Sequence, residues 1–121
     1  KSKLDLSKTY KGIAASSGNS FVHETESQVI LNGSYNINFT MDLVLKDTSI
    51  FNELAKKLNS SLEISPMIVD IFKDGKKKYG SRAWSSMIVK RMEDLNNIDF
   101  RADGFPEELI DNESEEKGYE I

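Results

Sequence analysis

Between Tyr35 and Lys46 the chain reads Tyr-Asn-Ile-Asn-Phe-Thr-Met-Asp-Leu-Val-Leu-Lys, with Tyr35, Ile37, Phe39, Met41, Leu43 and Leu45 on every second position. An apolar period of two puts all six on one face of an extended strand. Sustained over eleven residues, that alternation constrains the fold more than any other feature of the sequence. It makes Tyr35 and Phe39 core residues. Asn32-Gly33, just before it, is a strong short hairpin signal, because both residues tolerate positive φ.

Working outward from this strand, Thr9–Ala15 and Gln28–Leu31 read as two earlier strands, with Ser17-Gly18-Asn19-Ser20 as turn chemistry between them. After Lys46 the period changes. Asp47, Thr48 and Ser49 are helix-capping residue types, and Ile50, Phe51, Leu54, Ala55 and Leu58 recur at helical spacing. Leu62–Phe72 is rich in β-branched residues, with Pro66 marking an edge or bulge. Asp74-Gly75 turns the chain, and Arg82–Met92 closes as a fifth strand whose second half also suits a helix. The expected fold is therefore mainly β. It is a five-stranded OB-like barrel with one short helix between strands 3 and 4. A β-sandwich and a different α+β roll are the alternatives.

Charge divides the chain. The formal net charge is −4. Residues 103–121 hold eight acids (Asp103, Glu107, Glu108, Asp111, Glu113, Glu115, Glu116, Glu120) against one base, Lys117, so the remainder is mildly basic. The organisation expected is a nucleic-acid-binding domain over 1–102 and a disordered acidic tail over 103–121. The chain opens Lys1-Ser2-Lys3, so a removed initiator or a trimmed start is expected, and no signal peptide is read. It has no cysteine and no apolar run of the ~20 residues needed to span a bilayer. A cytoplasmic protein without a membrane role is expected.

The basic charge gathers in Lys73–Trp84, Lys-Asp-Gly-Lys-Lys-Lys-Tyr-Gly-Ser-Arg-Ala-Trp. In an OB layout this segment joins strands 4 and 5, beside the groove that takes single strands. Lys73, Lys76, Lys77, Lys78 and Arg82 are suited to phosphates, and Tyr79 and Trp84 to stacking on bases. Tyr10 and Lys11 extend the surface from the first strand. The plainer reading is a lysine-rich hairpin tip that blunts edge pairing, with Trp84 in the core. His23, the only histidine, has no ligand-type neighbours at metal-binding spacing, so no metal and no cofactor are expected. No Walker-type phosphate loop is present. The paired acids Glu107-Glu108 and Glu115-Glu116 lie in the tail, where solvation makes them poor general acids. An enzyme is not expected.

The basic segment and the tail end, Asn112–Ile121, resemble the small single-stranded DNA-binding proteins of bacteriophages. The resemblance implies sequence-independent coating of single-stranded DNA in replication or recombination, often as a homo-oligomer. The tail, centred on Glu115, Glu116, Tyr119 and Ile121, is expected to serve protein partners, replication or recombination proteins among them, or to fold back on the basic groove as autoinhibition. Two alternatives stay open. One is an acidic phage inhibitor that mimics nucleic acid; the other is a virion structural protein.

Overall fold

The computed structural model describes residues 2–109 and Gly118. Glu115, Glu116, Tyr119 and Ile121, expected to engage protein partners, lie outside the described residues. Among the described residues there are five α-helices, one 3-10 turn and no strand. The OB-like barrel is therefore not the fold, and neither a sandwich nor an α+β roll replaces it. The helices are α1 (Leu6–Ala14), α2 (Phe21–Asn32), α3 (Met41–Lys57), α4 (Ile64–Tyr79) and α5 (Lys90–Asn96), with the 3-10 turn at Ser85–Val89. No helix of the described residues is long and apolar enough to cross a membrane.

Each misread strand has a local cause. Asn32-Gly33 supplies a left-handed residue, as a hairpin would, but Gly33 (φ 96°) uses it to end α2. Ser20 caps the start of that helix, accepting from the His23 amide at 3.0 Å. The alternation of 35–45 breaks physically at Thr40. Tyr35 and Asn38 adopt positive φ, and Met41 opens α3. From there the inward positions are Met41, Val44, Leu45, Thr48, Asn52 and Ala55, which follow the helical period. Pro66 sits in the first turn of α4, where a missing N–H costs nothing. Gly75 lies buried inside α4 rather than at a turn. A Cβ there would come within 2.6 Å of Ile88 Cδ1 and 3.2 Å of Met41 Sδ.

Two helix pairs make the architecture. α1 packs on α2, α3 packs on α4, and the 3-10 turn touches α2, α3, α4 and α5. The segments before α3 and before the 3-10 turn run side by side. Met41 and Asp42 donate their amides to the carbonyls of Ala83 and Ser81, at 2.9 and 3.1 Å, and Ser85 donates to Phe39. The apolar core among the described residues is small: Val29, Leu31, Tyr35, Met41, Ala55 and Val69. Phe39, expected in it, is more than a third exposed.

Candidate functional site

The basic segment proves to be the last turns of α4 and the loop after it. Lys73, Lys76, Lys77, Lys78 and Tyr79 are helical residues. Lysines in the last turn oppose the negative end of the helix dipole, a structural reason for the run. Several of its charges are engaged. Lys73 pairs with Asp70 at 3.2 Å, Lys78 with Asp74 at 3.1 Å, and Arg82 with Asp42 at 3.4 Å. Asp74 also accepts from Arg91 at 2.7 Å, and the bonds from Arg91 and Lys78 hold its carboxyl below its ordinary value. The Tyr79 hydroxyl donates to Asp94 at 2.7 Å, and burial together with that bond pushes it up to about 12. Trp84 is half-buried, with its backbone bridged to Thr40.

Tyr10 and Lys11 stand on α1, in the other helix pair, rather than beside this segment. Tyr10 is turned inward. Its ring stacks on His23 at 4.9 Å and meets Phe105 edge-on at 5.2 Å. His23 is held on both ring nitrogens, Nε2 against the Tyr10 carbonyl at 3.0 Å and Nδ1 against Ser27 Oγ at 3.2 Å. Among the described residues no three His, Cys, Asp or Glu side chains gather to hold a metal.

The strongest buried electrostatic feature is Glu93, which is 1% exposed. It accepts from the Tyr35 hydroxyl, from the Phe100 amide at 2.9 Å and from Arg101 Nη1 at 2.8 Å. Burial alone would raise its pKa, but these bonds and the Arg101 charge together hold it below the ordinary carboxylate value. The cluster ties α5 to the return segment. That segment then lies along α2 through Ala102 N to Leu31 O, Asn32 Nδ2 to Phe105 O and Ser34 Oγ to Glu107 O. Every charge here is satisfied internally, so the cluster is structural.

A concavity lined by both polar and apolar side chains lies between α3 and α4. It has a volume of about 280 Å³ and is lined by Ser49, Asn52, Glu53, Lys56, Pro66, Val69, Asp70 and Lys73. On α3, Lys46, Ser49, Glu53 and Lys56 recur at i, i+3, i+7 and i+10, which sets them on one stripe. Only Lys73 of this set is also among the sequence-predicted binding residues. The helical polar stripe marks Ser49, Glu53 and Lys56, and no such pattern marks the others.

A family model described as the NAD-binding domain of NADP-dependent 3-hydroxyisobutyrate dehydrogenase matches residues 1–92. Most of the chain is covered, and the chain belongs to this family. No curated protein and no solved structure shows significant similarity. The family match overturns the resemblance to phage single-stranded DNA-binding proteins, and with it the DNA-binding function and single-stranded DNA and replication proteins as partners. It also overturns the expectation of a non-enzymatic protein, since the family is that of a dehydrogenase. Neither the inhibitor nor the virion alternative gains support.

The described residues do not form a complete cradle for a dinucleotide. That cradle needs a strand, a glycine-rich turn and an open helix N-terminus for the pyrophosphate. There is no strand, and the starts of α1, α2 and α3 are taken. Asp5 caps α1, Ser20 caps α2, and backbone carbonyls occupy the first amides of α3. Glu63 precedes α4 without capping it by its side chain. The α3–α4 groove carries two cations, Lys56 and Lys73, and two carboxylates, Glu53 and Asp70; Lys73 and Asp70 are paired at 3.2 Å, so a phosphate there would compete with Asp70 for Lys73.

Proposed function

We propose that this chain is a helical module of an NADP-dependent oxidoreductase of the 3-hydroxyisobutyrate dehydrogenase type. In this reading it holds one nucleotide half of the cofactor in the α3–α4 groove, beside a unit that carries the dinucleotide cradle. The observation that carries the reading is the family match over residues 1–92. The bound cofactor would supply the hydride acceptor for oxidation of a small hydroxy acid. This chain's own share is binding. Lys56 and Lys73 meet phosphate, Glu53 and Asp70 take ribose hydroxyls, and Pro66 and Val69 form the apolar side of the groove. We take 1–102 as the working unit and 103–121 as an acidic extension. A reducing compartment such as the cytoplasm suits a chain without cysteine.

Calorimetric titration with the two halves of the cofactor tests this. 2′,5′-ADP is expected to bind with a Kd of about 1 mM, as befits a partial site. Lys56→Ala and Lys73→Ala should each weaken it about threefold to tenfold, the worth of one charge-assisted contact. Nicotinamide mononucleotide binding instead would move the reading to the other half. Binding of neither up to ~10 mM, well above the expected Kd, would contradict it.

A further inference from the structure

Asn32-Gly33 ends α2, and the return segment serves that end. The last turn of a helix leaves its carbonyls without amide partners. Arg101 Nη1 donates to Ile30 O at 3.2 Å and the Ala102 amide to Leu31 O at 3.0 Å, so residues 101–102 satisfy two of them. Asn32 and Ser34 bond in the other direction. Asn32 Nδ2 donates to Phe105 O at 3.0 Å, and Ser34 Oγ to Glu107 O at 2.6 Å.

The same dipeptide carries a chemistry of its own. An asparagine side chain cyclises when the amide nitrogen of the next residue attacks its Cγ, and glycine leaves that nitrogen unshielded. The bond from Gly33 N to Asn32 Cγ forms, the Asn32 Cγ–Nδ2 bond breaks, and ammonia leaves with the amide proton. Water then opens the cyclic imide at either carbonyl, giving aspartate or isoaspartate. Glycine is fixed at this position: its φ is 96°, and Arg101 Nε would stand 2.5 Å from a Cβ there. Asn32 is exposed, so water reaches it. Both reacting groups are nevertheless held. The Gly33 amide donates to Val29 O at 3.0 Å, and the Asn32 side-chain amide is anchored on Phe105 O.

We propose that Asn32 is a self-modifying site kept in its amide form by the return segment: when residues 101–107 lift from α2, Asn32 cyclises onto Gly33 and becomes a carboxylate that the segment cannot take back. A carboxylate has no proton to donate to Phe105 O. It adds negative charge at the C-terminal end of α2, where the helix dipole opposes it. It shares a surface depression with Asp103, while Arg101, the cation of that depression, is already committed to Glu93 and Tyr35. The step therefore runs one way. It does not depend on the α3–α4 groove, and either inference stands if the other fails.

The test is peptide mass spectrometry of the full chain incubated at pH 8, read at Asn32. The folded chain should be modified at least about tenfold more slowly than the same chain unfolded in urea, because reaction waits on local opening. Ser34→Ala, which removes one bond to the segment, should speed the folded chain about fivefold. Gly75→Leu, which crowds Ile88 and Met41 and leaves the segment alone, should not. In Asn32→Asp, hydrogen exchange at the Ala102 amide should be about tenfold faster than in the unaltered chain. Equal rates folded and unfolded, a Ser34→Ala rate that is unchanged or matched by Gly75→Leu, or an Ala102 amide that stays protected in Asn32→Asp overturns the proposal.

Discussion

At the scale of single residues, Glu93 organises more of the structure than any apolar side chain. A carboxylate that is 1% exposed needs its partners, because an unpaired buried charge is strongly destabilising. Arg101→Met removes the cation and is expected to cost about 2–3 kcal/mol, discounted because the Arg101 side chain is itself 37% exposed. Urea denaturation of the two proteins measures it; a loss under ~0.5 kcal/mol, the level of an ordinary surface change, would show that the pair is solvated. The same carboxylate makes stability depend on acid. Its folded pKa lies below the ordinary 4.5, so its contribution is complete above that value and is lost as pH falls through the folded value. The urea midpoint should hold from pH 7 to about 5 and decline below 4.5, and Arg101→Met should flatten that decline. Tyr35 is legible as a core residue from its place in the alternating run, and it is buried. Its hydroxyl bond to Glu93 spans 58 residues, and no local pattern announces it.

At the scale of elements, the sequence misleads where one residue type serves two structures. Asn32-Gly33 provides positive φ for a hairpin or for a helix C-terminus, and only the surroundings decide. The run from Tyr35 to Leu45 alternates, but Val44 falls out of phase with a strand and in phase with Met41, Thr48 and Ala55 on a helix. Helical spacing over 50–58 is legible and correct, although the helix begins at Met41. Gly75 is the clearest case. After aspartate it reads as a turn, whereas its missing side chain lets α4 approach Ile88 and Met41. Gly75→Leu is therefore expected to destabilise the protein by about 1–3 kcal/mol through overpacking, even though leucine is the better helix former. Thermal unfolding checks it, and an unchanged or raised midpoint would show room that the structure does not.

At the scale of the whole molecule, six buried apolar residues among the described residues make a thin core. α3 and the residue that ends it also keep Ile50, Phe51, Leu54 and Leu58 more than half exposed. The groove proposed for the cofactor lies on the other side of α3. The family could not be read from composition. The fingerprint that announces a dinucleotide site, a glycine-rich turn after a strand, is absent, and the groove is assembled from two helices whose polar residues look like ordinary solvated faces. The lysines at the end of α4 drew attention by their density, but their position at a helix C-terminus accounts for them. The measurement that bears most directly on the function is a two-dimensional amide-shift map of the chain with NADP⁺, repeated with an oligo-dT strand. We expect NADP⁺ to move Ser49, Asn52, Lys56 and Lys73 together, saturably and with salt-weakened affinity, and oligo-dT to move the same residues less. A map in which NADP⁺ leaves the groove untouched would contradict the proposed function.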